Sequence, residues 1–487
     1  MKNHIHKILH YMAGNMFNNI ILLIFLPIFS HFMIPEEFAV YTNIIIFITF
    51  ARLFYLMGFL QSIFSYFHLI KTDDYKYTLI NSMYITILVI GLIFSIVILI
   101  FKNSLSQLIL KNVVYADLFP IITIIIFSSA FYNLTLSILN IMERSKNYAI
   151  LGVISNFLKL LLFTYGAFIG KFSVHHVLNY ILISSVVSML IAIFNIRKIL
   201  QELNPKTKKK FSITIMKPVM WFGLIMVPGT LALISMRVLD RYMLTYLSPN
   251  GLFDVGIYAM GYKVGTIMQF LLAIVSMVFF PYAMKIADQP FAAKSFNKIF
   301  NLFLISGLTL GTLIILFSNE IFYVFVNDSY HSAARLVFIG VISTFLHGVF
   351  NILNLGFYIK QKATKIASAV IIGTFINIGL NIILIPKYGV IGAGYASIIS
   401  YMFIVIFNYF RTIKIFYVNY RIGYVFLGIG FLLLLSYLNS LIGFDYRFSF
   451  IKILVLLLSI GTLYLTQKEK LKNFLENIKD SKGIQNV

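Results

Sequence analysis

The sequence predicts an all-α polytopic membrane protein, on three observations. Hydrophobic residues make up 60% of the 487 and charged residues only 11%, which leaves too little polar surface to cover a water-soluble particle of this length. The apolar residues gather in segments long enough to cross a bilayer, for which a helix needs about 20 residues. Lysine and arginine alternate between the connecting loops: about 27 of the 39 fall in every second loop and about six in the others, the bias that orients helices in a membrane. The net charge of +23 therefore reports topology, and no nucleic-acid partner is expected.

Parsed by length, the chain gives about fourteen spans. Their cores run from Ile8 to Phe32, Phe38 to Leu60, Tyr77 to Phe101, Leu118 to Ile141, Tyr148 to Ile169 and Val177 to Ile196. After a polar break come Pro218 to Leu239, Gly256 to Met284, Ile299 to Phe317, Ala333 to Phe357, Ile366 to Ile385, Val390 to Phe410, Ile422 to Leu441 and Phe448 to Leu465. The first follows a short basic start, is too long for a signal-peptide core and lacks a small-residue cleavage site, so it reads as a retained span. An even count puts both termini on one side. The cytoplasmic loops then hold Lys71, Lys76, Arg144, Lys146, Lys285, Lys294, Lys298, Lys360, Lys362, Lys365, Arg411, Lys414, Arg421 and the tail lysines. The outer loops hold mainly Lys102, Lys111, Lys171, Arg335, Lys387 and Arg447, roughly balanced by acids. The expected location is a bacterial inner (plasma) membrane, multi-pass, with both termini cytoplasmic.

The longest polar break, Arg197 to Lys217, carries Lys206-Thr-Lys-Lys-Lys210 near mid-chain. It reads as a cytoplasmic linker that anchors topology and meets anionic lipid headgroups. The expected organisation is a six-helix bundle over 1–200, the linker over 201–217, a second six-helix bundle over 218–412, two further helices over 413–466 and a basic tail over 467–487. The bundles echo each other: Ile34-Pro-Glu-Glu-Phe-Ala-Val-Tyr41 joins the first two spans of one, and Leu247-Ser-Pro-Asn-Gly-Leu-Phe-Asp-Val-Gly-Ile-Tyr258 those of the other. An even number of spans separates the copies, so they share an orientation and a pseudo-twofold axis along the membrane normal. A cavity between two such bundles is the natural place for a solute.

Two stretches carry a family resemblance: Asn381-Ile-Ile-Leu-Ile-Pro-Lys-Tyr-Gly-Val-Ile-Gly-Ala-Gly-Tyr-Ala396, and Leu239-Asp-Arg-Tyr242 followed by Gly256-Ile-Tyr-Ala-Met-Gly-Tyr-Lys263. With the length, the spans and the mid-chain linker, the chain resembles the O-antigen and repeat-unit flippases of the multidrug/oligosaccharidyl-lipid/polysaccharide exporter superfamily, over essentially its whole length. The resemblance implies two six-helix lobes in a V shape plus two C-terminal helices. It implies a polyprenyl-pyrophosphate oligosaccharide moved from the cytoplasmic to the outer leaflet by alternating access, for O-antigen or capsule. Membrane lipids and the polysaccharide polymerase machinery are the implied partners, cavity cations meet pyrophosphate or acidic sugars, and no cofactor is implied.

Charges inside spans point the same way, because each is expensive enough there to signal function. Arg52, Lys159 and Lys263 sit well inside the hydrocarbon, and Arg237, Asp240 and Arg241 nearer the outer end of the seventh span. Cations outnumber the single acid, which suits an anionic cargo: a desolvated pyrophosphate needs cations and donors. Arg52, Lys159, Lys263, Arg237 and Arg241 are the candidate substrate-binding residues. Asp240 is either an ion-coupling group or half of a structural pair, with Arg237 three residues back or with a neighbouring helix. Lys452 is expected to snorkel to the interface. Pro228 and Gly229 are the best hinge candidate, against simple close packing. Asn15, Asn18 and Asn19 either line the cavity or bond across helices. His175 and His176 read as solvated.

Enzymatic readings are weak. The absence of cysteine removes thiol nucleophiles, disulfides and thiolate metal sites, and no metal site is expected. Asp73-Asp74 has no soluble domain beside it to build a glycosyltransferase, and a repeat-unit polymerase would carry a large external loop. A cation-coupled multidrug exporter is the rival; it would use a buried carboxylate, and almost none lies away from span ends. The chain reads as a transporter, not an enzyme.

Overall fold

The computed structural model describes residues 21–443 apart from 22, 70, 71, 204, 208, 361 and 363, together with 452–454 and 457. The expectations for Asn15, Asn18, Asn19, the tail lysines and most of the last predicted span lie outside the described residues. All regular structure among the described residues is helical. The solvent explains this, because hydrocarbon offers nothing to hydrogen-bond a backbone and a helix satisfies its own. Among the described residues ten helices are long and apolar enough to cross a membrane, and the protein is a multi-pass membrane protein.

Helix α1 (Leu23–Phe32) leads into α2 (Pro35–Leu56), which opens on a proline at a position needing no donor. Left-handed Met57 and Gly58 (φ 47° and 70°) end α2, and α3 (Phe59–Tyr66) resumes it. The second predicted span is thus broken, at a glycine that takes positive φ without cost. Next come α4 (Asp73–Ile100), α5 (Lys102–Leu110), a 3₁₀ turn (Val113–Leu118), α6 (Phe119–Ile141), α7 (Ser145–Phe168) and α8 (Val174–Glu202). Beyond the linker stand α9 (Ile213–Leu247) and α10 (Leu252–Gly265). A 3₁₀ turn (Thr266–Met268), α11 (Gln269–Ile274), a π-helical turn (Val275–Phe279) and α12 (Phe280–Ile286) continue the eighth predicted span in pieces. Then follow α13 (Ala292–Leu316), α14 (Ser318–Phe325), a 3₁₀ stretch (Asp328–Leu336), α15 (Val337–Leu353) and α16 (Leu355–Ile359). Two predicted spans run together in α17 (Thr364–Ile413), divided only at Gly389 (φ 55°, ψ −134°), and α18 (Gly423–Ile442) follows.

Before the linker, α6 packs on α8, α7 and α2; after it, α9 lies along α17, while α10, α13 and α17 surround α15. The α15 span is 89% buried and forms the centre of the second set. The two sets meet along α2. A side chain at Gly256 of α10 would run into the Pro35 carbonyl, and one at Gly223 of α9 into the Met57 carbonyl. Between these crossings Asn43 donates to the Thr245 hydroxyl (3.0 Å) and Tyr242 donates to the Asn43 carbonyl (2.9 Å). Tyr330 adds a bond to the Met33 carbonyl (2.9 Å).

One expectation changes. Lys452 does not snorkel: its Nζ lies 2.7 Å from Glu320 Oε1 with both side chains largely covered, because α14 places a carboxylate within reach and pairing is better than a stretch to the interface. Asp74, one of the two adjacent acids set aside above, accepts from the Thr207 amide and hydroxyl (2.7 and 3.0 Å) and ties the linker to α4. Through Pro228 and Gly229, α9 continues as a helix.

Close crossing at Gly256 has a measurable consequence. Gly256→Val overpacks it and is expected to cost about 1–3 kcal/mol, read as a lower thermal midpoint in detergent. Gly430→Val, where open space surrounds the glycine, serves as the control; equal midpoints for the two variants would contradict the crossing.

Candidate functional site

The intramembrane cations fall into two groups linked by an aromatic cluster. Arg52 stands near the end of α2 and Lys159 midway along α7, both half-buried. They lie within electrostatic reach of each other, and Lys159 Nζ is 3.4 Å from Asn156 Oδ1. One turn beyond Lys159, Phe163 packs against Phe25 and Phe29 of α1 (ring centroids 4.9 and 5.4 Å). The Lys263 ammonium of α10 sits 5.5 Å from the Phe29 ring of that cluster and 6.0 Å from the Phe38 ring. Lys263 thus reaches across from the second set of helices to the first. The apolar ring faces hold its charge by cation–π attraction.

Arg237 and Arg241 leave α9 in different directions. Arg237 is exposed to a cavity of about 380 Å³ lined by Tyr262, Gln269, Ser343, His347, Asn351 and Tyr401. Its Nη2 lies 3.1 Å from His347 Nε2. A guanidinium can only donate, so that nitrogen accepts and His347 is neutral with its proton on Nδ1. The Ser343 hydroxyl in the same lining is buried without a hydrogen-bond partner among the described residues.

Arg241, in contrast, is 7% exposed and Asp240 2% exposed. Asp240 does not turn to Arg237. Its Oδ1 accepts from the Arg241 amide (2.9 Å) and lies 3.6 Å from the Arg241 guanidinium, while Oδ2 accepts from the Tyr258 hydroxyl and, at 3.4 Å, from Ser397. Of the two pairings weighed from the sequence, that with Arg237 does not form: the charge partner is the adjacent Arg241 of the same helix, and the neighbouring helices α10 and α17 add the Tyr258 and Ser397 hydroxyls. The Arg241 guanidinium lies 4.8 Å from the Tyr262 ring and donates to the Arg237 carbonyl (2.9 Å). Arg241 is therefore a neutralised, buried cation. Arg52, Lys159, Lys263 and Arg237 meet no carboxylate among the described residues.

Sequence reasoning passed over His347, Tyr262 and Tyr401. A lone histidine within an otherwise apolar span was the available signal, since any ionisable group there is a candidate; the two tyrosines look like ordinary span residues. Among the described residues no cluster of three or more metal-ligating side chains occurs. At the Pro228-Gly229 hinge candidate, a side chain on Gly229 would touch only Ala367.

The arrangement of helices places the fold among membrane flippases and exporters. It superposes with a TM-score of 0.74 on "Lipid II flippase MurJ, inward closed conformation", at 17% identity over 95% of this chain and 99% of that one. For the inward-facing conformation of a multidrug resistance MATE family transporter of the MOP superfamily the score is 0.65, at 16% identity over 83% of this chain and 94% of that one. The outward-facing conformation of a MATE family transporter gives 0.59, at 16% identity over 84% and 94%. In sequence, residues 5–287 match the family described as "Polysaccharide biosynthesis protein", and the chain belongs to that family. An uncharacterised membrane protein of Methanocaldococcus jannaschii is 27% identical over 291 residues, 57% of this chain. The match spans 55% of that relative's length.

The buried pair yields a prediction. Arg241→Met leaves Asp240 buried without its charge partner and is expected to cost about 3–5 kcal/mol. The double variant Asp240→Leu/Arg241→Met recovers most of it. Thermal midpoints of the two variants in detergent check this, and a double variant no more stable than the single one would contradict the pairing.

Proposed function

We propose that this protein is a flippase for lipid-linked oligosaccharides. It moves polyprenyl-pyrophosphate-linked repeat units from the cytoplasmic to the outer leaflet of a bacterial inner membrane, for O-antigen or capsule, by alternating access. In this reading both termini are cytoplasmic and the polymerase machinery receives the product. One observation carries it: Arg52, Lys159, Lys263 and Arg237 stand inside the spans without a carboxylate partner among the described residues. Uncompensated cations within hydrocarbon are costly, and a pyrophosphate passing between the helices would offset that cost with charge-assisted bonds. Membership of the polysaccharide biosynthesis family supports the sugar part of the cargo. The fold shared with a lipid II flippase and with inward- and outward-facing exporters supports movement between two access states.

In the proposed cycle the cations act as a ladder. Lys159 stands one turn from Phe163 and within electrostatic reach of Arg52, and Lys263 stands beside Phe29 of the same ring cluster, so successive cations are available to the diphosphate. Arg237, with His347 and the amides and hydroxyls of its cavity, offers donors suited to sugar hydroxyls. Arg241 and Asp240 hold the helix carrying Arg237 in place, and Asp240 is a structural partner in this reading. Pro228 and Gly229 remain the place where α9 would bend.

Arg52→Ala, Lys159→Ala and Lys263→Ala are each expected to lower transport about 10-fold or more, the value of one charge-assisted contact, with membrane insertion intact. The readout is outer-leaflet exposure of the lipid-linked oligosaccharide to an impermeant glycosidase. Normal exposure in all three variants and in the triple variant would sink the cavity assignment. Unchanged exposure in cells lacking the protein, with altered sensitivity to cationic drugs, would favour the multidrug exporter.

A further inference from the structure

A second cavity, of about 510 Å³, lies away from all the cations discussed above. Phe47 and Phe50 of α2, Leu105 and Leu108 of α5, Tyr246 of α9 and Ile382 of α17 line it, so both sets of helices contribute walls. It is open sideways: Leu108 and Ile382 remain 65% and 54% exposed. A cleft this size in an aqueous protein would be a ligand pocket, typically ~300–1,000 Å³. Here the walls are apolar and the surroundings are acyl chains.

Beside one of the lining rings, that of Tyr246, stands a cation. Lys111 ends α5 in the left-handed conformation (φ 55°), and its Nζ sits 4.9 Å from the Tyr246 ring. The turn is held in place: the Ser106 hydroxyl donates to the Asn112 carbonyl, and Asn112 Oδ1 accepts from the Val114 amide (2.9 Å). Tyr246 in turn donates to the Gln107 and Leu108 carbonyls (2.9 and 2.7 Å), closing the seam between α5 and α9. Lys111 meets no carboxylate among the described residues. By the charge pattern of the loops it belongs to the outer face.

We infer that this cleft is a binding site for an anionic phospholipid of the outer leaflet, one acyl chain lying between α2, α5, α9 and α17 and the headgroup phosphate meeting Lys111. A single ammonium matches a single phosphodiester charge, which favours a phospholipid over a pyrophosphate carrier. Because the walls come from both sets, the chain fills a seam that exists only while α5 and α9 touch. A ligand with that preference shifts the population toward the arrangement it fits, so the lipid holds this face closed. The inference is independent of the proposed cargo.

The test uses the full chain in nanodiscs of equimolar phosphatidylglycerol and phosphatidylcholine. Lipids retained after detergent extraction are quantified by mass spectrometry. A phosphatidylglycerol with a photoactivatable acyl chain maps the contact. Retention of phosphatidylglycerol over phosphatidylcholine is expected to be about fivefold, the worth of one interfacial cation, and to fall to parity in Lys111→Gln. Leu108→Trp or Ile382→Trp, each filling the cleft from a different wall, is expected to lower retention of both lipids and abolish photolabelling of α2. Equal retention in the unmodified protein would overturn the inference, as would unaltered photolabelling in both tryptophan variants. Displacement of the phosphatidylglycerol probe by an equimolar polyprenyl phosphate would overturn the choice of occupant.

Discussion

A bilayer will not hydrate a polar group, and the contact between the two sets of helices is built around that constraint. Asn43 is fully buried in α2; its side-chain amide donates to Thr245 and to the Ile109 carbonyl and its backbone carbonyl accepts from Tyr242, while its Oδ1 has no hydrogen-bond partner among the described residues. The glycine crossings at Gly256 and Gly223 let the backbones come close enough for those bonds to form. In membranes, where apolar surface gains little by leaving lipid for protein, small residues and interhelical hydrogen bonds are what remain to hold helices together. Because α2 carries its contacts from Pro35 to Met57, no rearrangement of one set against the other can spare it. Any change of access must separate either the Pro35 crossing or the Met57 crossing.

The same constraint sorts the charges. Asp240 and Arg241 solve it internally, with the Tyr258 hydroxyl, Ser397 and a backbone amide completing the carboxylate's shell. Burial of an ion pair is affordable when geometry and extra bonds are good, though it is weak evidence of stabilisation. Arg52 and Lys159 are the opposite case: two like charges within reach of each other and no acid beside them. Such a pair persists only where water or a mobile anion reaches it. Arg237 lies between these extremes, since a neutral His347 accepts its hydrogen bond without cancelling its charge.

Much of this was legible in the sequence, for a physical reason. Hydropathy, loop charge and length each report one-dimensional properties, and a membrane enforces all three in one dimension, so the all-helical fold and the span cores from Tyr77 to Ile196 emerged directly. Three-dimensional facts did not. The hydroxyl partners of Asp240 depend on where α10 and α17 cross α9, which no spacing within α9 encodes; Tyr258 and Ser397 lie on those other helices. Lys452 looked like an interfacial lysine because its partner, Glu320, lies on a helix far earlier in the chain. The break at Met57 and Gly58 went unseen because a single glycine inside an apolar run is usually tolerated, and only the approach of Gly223 makes a turn there necessary. Leu105, Leu108 and Ile382 are individually unremarkable lipid-facing residues, and only their assembly makes a cleft.

Lys263 connects the closed arrangement to the cations. Its ammonium rests between Phe29 and Phe38, on the side of the interface where Tyr330 reaches Met33 and Gly256 crosses Pro35. A desolvated cation–π contact contributes about 2 kcal/mol, whereas a hydrogen bond to a charged group contributes about 1.5–3 kcal/mol. In the proposed cycle an arriving diphosphate, offering several such bonds, would draw Lys263 off the rings and remove one attachment between the sets. The residue that receives the cargo is then also one that holds the interface together, so binding and loosening are a single event. An uncharged solute of the same shape would bring no competing acceptor and would leave the attachment intact. In the proposed cycle Lys263 would therefore distinguish cargo by charge at the point where the two sets of helices meet.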